Sequence, residues 1–244
     1  SPATVYTTLA TLWMLTLQRL GGGQSLEAIV KETLTHHRDI FPDNKRVREG
    51  TLSHNSSACS EARHRLPIEV VERFTDSVAR TIIDSCPDTL NDRRAFIIDG
   101  TTFKLAPTST LREVYPPSTN QYGETVWPIM MLTVAHELHS GAALRPEFGA
   151  MYGSKNTSEA KQAMAIAQRI PAGSIVLADS GYGIFSVVQA MLGCRHDVLF
   201  RLTASRFKAL QRKATLIHQT KESSRYRLVW KPSAKDRKTN PALP

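Results

Sequence analysis

Ala95-Phe96-Ile97-Ile98-Asp99-Gly100-Thr101-Thr102 is the stretch on which this chain turns. Four apolar residues in a row are too few for a buried helix. With two isoleucines among them, they suit a strand covered on both faces. The run stops at an aspartate with a glycine behind it. Farther on, Ser174-Ile175-Val176-Leu177-Ala178 does the same and stops at Asp179-Ser180-Gly181-Tyr182-Gly183. Between the two lie strand candidates over Val126–Ala135 and Gly141–Phe148, with a turn around Glu137 to Gly141. Asn156–Arg169 reads as a helix in which Asn156 caps and Glu159, three residues later, completes a capping box. Pro171-Ala172-Gly173 ends it. After Asp179, Ile184–Leu192 reads as a short helix and Asp197–Leu202 as a fifth strand. In this order the first and fourth strands are joined by a crossover helix, so they lie side by side and parallel. Their carboxyl ends then share one crevice, and Asp99 meets Asp179 there.

Two ionised carboxylates that close repel one another unless a cation sits between them. Hard oxygen ligands of this type favour Mg²⁺ or Mn²⁺. Two such ions roughly 3.5–4 Å apart can activate an attacking oxygen and steady a leaving oxygen at phosphorus. Gly100, Gly181 and Gly183 remove side-chain bulk beside each aspartate, which lets a substrate backbone approach. Taken singly, each aspartate also fits a plainer role as a turn former or helix cap.

Upstream, residues 1–90 read as helical. Ser1 to Gln18 holds no charge but carries five threonines and no basic lead, which suits a buried helix better than a signal peptide. Gly21-Gly22-Gly23 separates it from a second helix that Ser25 caps, with Leu26, Ile29, Val30 and Leu34 on one face. Leu52 to Leu66 is polar and helix-compatible. Pro67 opens a further helix in which Ile68, Val71, Phe74, Val78 and Ile82 recur every three or four residues.

At 244 residues, 41% hydrophobic and 22% charged, the chain can bury a core for one ordinary domain and a smaller one. That composition excludes a collagen, a disordered tail and a disulfide-stapled miniprotein. The net charge of +9 is unevenly spread. Arg201 to Pro244 holds twelve basic residues against Glu222 and Asp236, so the excess sits at one end, as suits a polyanion such as nucleic acid. A solvated basic surface is the plainer alternative. Cys59, Cys86 and Cys194 are odd in number and widely spaced, which speaks for a reducing compartment and against a zinc ribbon.

Phe96-Ile97-Ile98-Asp99-Gly100-Thr101-Thr102-Phe103 resembles the first-aspartate motif of DDE transposases of bacterial insertion sequences, of the group named after insertion sequence four. Ser174 to Gly183 resembles that group's second-aspartate motif. Ser53 through Ala62-Arg63-His64-Arg65-Leu66-Pro67 is similar to the helical segment that precedes the catalytic domain. Val229-Trp230-Lys231-Pro232-Ser233 and Asp236-Arg237-Lys238, with Pro241 and Pro244, are similar to a strand-rich insertion. The resemblance runs from about residue 20 onward.

What the resemblance implies is an α/β fold, a ribonuclease H-like mixed sheet with flanking helices. The helical region 1–90 would serve DNA-end binding and assembly, 91–210 would be catalytic, and 211–244 would be the basic start of a β-rich insertion. Asp99 and Asp179 match the two catalytic aspartates that hold Mg²⁺ (or Mn²⁺). The implied partners are terminal inverted repeats and target DNA, bound by a homodimer in the bacterial cytoplasm near the nucleoid, with no membrane involved. The family's third ligand is a glutamate in a Tyr-Arg-Glu-Lys signature beyond the insertion, and no such signature occurs here. Glu222 sits in a basic segment without a helical apolar face and does not take the role. The start at Ser1 without Met and the ending Asn240-Pro241-Ala242-Leu243-Pro244 together suggest a C-terminally truncated transposase whose third acid lies outside this chain.

Arg201, Arg206 and Lys208 continue from the fifth strand and suit phosphate, or plain solvated surface. Tyr182, between two glycines, either stacks on a base or closes its loop. Asn120-Gln121-Tyr122-Gly123 reads as a turn with polar side chains available to DNA. His136-Glu137-Leu138-His139 has the wrong spacing for a zinc helix. A haloacid dehalogenase-type phosphatase also places Asp-Gly-Thr after a buried strand, but Ile97 stands where its nucleophile would be. A DNA-binding protein without catalysis, its two aspartates structural, is the remaining alternative.

Overall fold

The computed structural model describes residues 5–87, 90, 92–239 and 241. Chain contacts divide it into two compact units, Ser1–Phe74 and Thr75–Pro244. Among the described residues no helix is long and apolar enough to cross a membrane.

The first unit is helical. Helix α1 (Thr8–Leu20) starts where the Thr7 side chain accepts from the Ala10 amide, and α2 (Leu26–His36) where Ser25 accepts from Ala28. Each cap answers one of the unpaired amides of its helix's first turn. A single 3₁₀ turn (Arg38–Ile40), α3 (Lys45–Arg48) and α4 (Ser57–His64) follow. Met14, Ile29, Val30, Leu34, Phe41, Cys59 and Ala62 form its core. The Tyr6 ring meets Phe41 edge-on at 5.8 Å. Helix α5 (Ile68–Asp84) runs across the division, and its Ile83 belongs to the core of the second unit.

The second unit is built on strands β1 (Ala95–Lys104), β4 (Ile129–Glu137), β5 (Glu147–Ala150), β6 (Ile175–Ala178) and β7 (Asp197–Phe200). They form a mixed sheet in the order β5-β4-β1-β6-β7. β1 pairs antiparallel with β4 and parallel with β6, and β6 pairs parallel with β7. Helix α7 (Glu159–Ile166) makes the crossover from β5 to β6, and α8 (Phe185–Gly193) the one from β6 to β7. The expected side-by-side parallel pairing of the Asp99 and Asp179 strands is present. Arg93 clamps the far end of the sheet, donating to the Gly173 carbonyl and to Asp197 Oδ2, both at 2.7 Å.

One face of the sheet is covered. Phe96, Ile98, Ala135 and Val176 are almost fully buried there among Ala163, Ile166, Val187 and Met191 of α7 and α8. The opposite face is bare at Ile97 (39% exposed), Phe103, Phe148 and Leu199 (66% exposed). The expectation that β1 is covered on both faces is therefore corrected at Ile97.

Other boundaries also differ from expectation. β1 does not end at Ile98 but runs on to Lys104, because Thr101, Thr102 and Phe103 are good strand formers and β4 stays paired as far as Ile129. The third strand is Glu147–Ala150 rather than Gly141–Phe148. Residues 138–141 are gathered into a turn by the buried Glu137 carboxylate, whose Oε2 accepts from the His139 amide (3.1 Å) and from the amide and hydroxyl of Ser140 (both 2.6 Å). α7 is capped by Ser158, not Asn156, so the capping box does not form. Between β1 and β4 lie α6 (Ser109–Val114) and a small hairpin, β2 (Thr119–Asn120) with β3 (Gly123–Glu124). After β7 come α9 (Ala204–Gln211), a second hairpin of β8 (Thr215–Gln219) with β9 (Ser224–Arg227), and α10 (Ala234–Thr239). The strand expected over Arg225–Trp230 is the shorter β9.

Candidate functional site

The parallel ladder of β1 and β6 ends at the pair Ile98–Ala178, and that of β6 and β7 at Ala178–Phe200. Asp99 continues β1, while Asp179 and Arg201 directly follow the ends of β6 and β7, so the three backbones come together in one row at this end of the sheet. Adjacent strands lie about 4.8 Å apart, which makes the two aspartates immediate neighbours. Side chains alternate along a strand. Asp99 therefore shares the bare face with Ile97, and Asp179 lies just past the end of β6, in the loop that follows it. Both aspartates are exposed. Asp99 is not the residue after a strand, as its sequence suggests, but sits inside β1 opposite Val134.

Each aspartate is held locally. Asp99 Oδ1 accepts from the Gly100 amide and Asp179 Oδ1 from the Gly181 amide, each at 2.8 Å. Gly183 lets the Asp179 loop fold onto the end of β7, since any side chain there would overlap the Arg201 carbonyl oxygen. The Arg201 amide donates to Ala178, closing the row.

The Arg201 side chain is exposed beside Asp179. Arg206 spends one Nη1 donor on the Ser180 carbonyl at 3.2 Å, which ties α9 to the Asp179 loop. Lys208 is exposed on α9. Tyr182 is corrected. It is only 2% exposed and belongs to the core under the sheet, so its ring offers no face for a base. Tyr122, at the tip of the β2–β3 hairpin, is by contrast 88% exposed. Glu137 is taken up by its turn, and among the described residues no group of three or more His, Cys, Asp or Glu is placed to hold a metal ion.

Sequence reasoning missed the polar layer beneath the row. On the covered face, Thr133 Oγ1 donates to Gln162 Oε1 at 2.7 Å, and Gln162 Nε2 donates to the Met131 carbonyl at 3.3 Å. Gly100 faces this layer, and a Cβ there would come within 2.6 Å of Glu159 Oε1. Glu159 from α7 thus occupies the space that Gly100 vacates. The Tyr182 hydroxyl lies in the same place, buried and with no hydrogen-bond partner. Burial pushes its pKa well above the ordinary phenol value. Glu159 adds most to that among the charges, Asp99 and Asp179 add to it, and the Thr133 hydroxyl opposes it without closing a hydrogen bond. The signal in the sequence was the glycine itself, since a strand residue without a side chain often marks close approach by another element.

In comparisons with known proteins, no family model and no curated protein matches the chain.

Proposed function

We propose that this chain is part of a DDE-type transposase with a ribonuclease H-like catalytic sheet. The observation that carries the reading is the parallel pairing of β1 with β6 as far as Ile98 and Ala178, the residues that Asp99 and Asp179 directly follow. The mixed sheet with helices on one face accords with the arrangement that the sequence resemblance implies.

The donor set suits Mg²⁺ or Mn²⁺: two exposed carboxylates, hard oxygen ligands, at the ends of neighbouring parallel segments. When bound, the ion would activate the attacking oxygen and stabilise the leaving oxygen of an in-line displacement at phosphorus. Hydrolysis at a transposon end and attack of the freed 3′-hydroxyl on target DNA are both displacements of this kind. Asp99 and Asp179 fix where the reacting phosphate must lie. Arg201, level with them and exposed, is placed to take a flanking phosphate, and Lys208 adds a point charge on the next helix. Lys213, between α9 and β8, and Arg225 and Arg227 of the β8–β9 hairpin extend the cationic track, all exposed.

The test uses the complete gene product and duplex DNA carrying the element's ends. Mg²⁺-dependent nicking at the ends is expected to vanish in both Asp99→Asn and Asp179→Asn while DNA affinity is kept. Nicking at the wild-type rate in either variant overturns the reading.

A further inference from the structure

Between Arg38 and Arg48 the first unit carries Arg38, Lys45, Arg46 and Arg48. Acids answer two of them. Arg48 Nη1 lies 2.5 Å from Asp43 Oδ1, and Lys45 Nζ lies 3.9 Å from Glu49 Oε1. Arg38 and Arg46 have no ion-pair partner among the described residues. Both line one cavity of about 40 Å³, together with His54 and the apolar Leu34, Val47 and Leu52, and no aspartate or glutamate is among its wall residues.

The local fold sets the shape of this cavity. Arg38 Nε donates to the Leu34 carbonyl at 2.7 Å, near the C-terminal end of α2, which leaves Nη1 and Nη2 for other acceptors. Nη2 passes close to Gly50, where a Cβ would stand 3.7 Å from it. Gly50 has φ +66°, the left-handed conformation that turns the chain back after α3. The Thr51 amide then donates to the Arg46 carbonyl at 3.0 Å. Leu34 is buried, and Val47 and Leu52 pack against the core of the unit, so the floor is hydrocarbon. Charges act more strongly beside hydrocarbon than in open water. Neither guanidinium can shed its proton, so an anion in the cavity relieves the repulsion between the two.

We propose that this cavity is a binding site for a tetrahedral oxyanion, a phosphate group held by Arg38 and Arg46 with His54 as a further donor. The site lies within the first unit and does not depend on the reading of the aspartate pair. Size sets the class of ligand. A single water needs about 10–15 Å³, so the space takes the bulk of one phosphate and neither a base nor a sugar. Guanidinium edges match phosphate oxygens as two-pronged donors. The phosphate comes either free from solution or as one unit of a nucleic-acid backbone, and the chemistry of capture is the same.

The experiment is titration of the whole protein with inorganic phosphate, followed by calorimetry and by phosphorus NMR line broadening. The variants are Arg38→Gln, Arg46→Gln and Arg48→Gln. Arg38→Gln and Arg46→Gln are each expected to weaken phosphate binding by about tenfold or more, as loss of a charge-assisted hydrogen bond does. Arg48→Gln removes the same charge from a residue outside the cavity wall and is expected to bind phosphate as the wild type does. The Arg46 side chain makes no hydrogen bond among the described residues, so Arg46→Gln keeps the test decisive if Arg38→Gln folds poorly. A second titration uses duplex DNA of random sequence at several salt concentrations. A slope of log affinity against log salt that falls by about 1 in Arg46→Gln assigns the phosphate to the DNA backbone. An unchanged slope, with inorganic phosphate binding weakened, assigns it to free phosphate. Wild-type protein without saturable phosphate binding overturns the proposal. Wild-type affinity in Arg46→Gln overturns it too, as does an equal loss in all three variants, which would mark a response to net charge alone.

Discussion

Gly183→Ala tests how tightly the Asp179 loop is fitted to the end of β7. A methyl group at this position would overlap the Arg201 carbonyl oxygen and lie 3.0 Å from Leu202 Cδ2. The leucine can rotate, but the carbonyl cannot move freely. The Arg201 amide is bonded to Ala178 at 3.2 Å, and the loop is tightened by the Ile184 amide donating to the Tyr182 carbonyl at 2.7 Å. The strain therefore falls on backbone. Overpacking of this kind costs about 1–3 kcal/mol, and a backbone obstacle belongs at the upper end. For a unit of this size, each kcal/mol lowers Tm by roughly 2–4 °C. The expected drop is about 5–10 °C, measured by circular dichroism melting. Gly193→Ala is the control. It lies at the end of α8 with open space around it, and its Tm is expected to hold or to rise slightly. If Gly183→Ala melts within 2 °C of the wild type, on the order of 1 kcal/mol or less, the close approach of loop and strand is wrong.

Burial alone would raise the Glu137 carboxyl. The Ser140 hydroxyl, the Ser140 and His139 amides and Arg94 outweigh it and hold the group below the ordinary carboxylate value. A depressed folded value stabilises the protein above the unfolded value and is lost as pH falls through the folded one, so unfolding midpoints in urea should decline below about pH 4. Glu137→Gln should flatten that decline and cost about 1–3 kcal/mol at pH 7; an unchanged acid limb would contradict it. Cys59 is fully buried, with Sγ 3.9 Å from the Met14 sulfur, and burial raises its thiol pKa against the opposing pull of Arg63. Thiol titration of the native protein should modify Cys86 and Cys194 first, and Cys59 only once the first unit unfolds. Arg225→Gln with Arg227→Gln should reduce the slope of log affinity for DNA against log salt by about 2; an unchanged slope would remove the β8–β9 hairpin from the interface.

The parts of the fold that the sequence made legible are those in which one local signal dominates. Ser25 marks the start of α2, Pro67 lies just before α5, and the runs ending at Asp99 and Asp179 mark β1 and β6. The parallel pairing followed from the crossover helix alone. What stayed hidden depends on partners remote in sequence. β1 runs past Asp99 only because β4 accompanies it, and Gly141 to Arg145 keeps no more than a bridge at Ala143 to β4, next to the turn that Glu137 collects. Tyr182 looked available for stacking between its glycines, yet those glycines let the loop fold inward and take the ring with it. Glu159 looked like a capping residue because spacing cannot report what Gly100 leaves open across the sheet.

The bare side of the sheet has an electrical consequence. Ile97 and Leu199 flank the row of Asp99, Asp179 and Arg201 with hydrocarbon rather than with polar groups. Water reaches the row over that face, so the field of the two acids is screened within about 8–10 Å at ordinary ionic strength, and the Arg201 charge in the same row cancels part of it. A cation is therefore attracted only at close range.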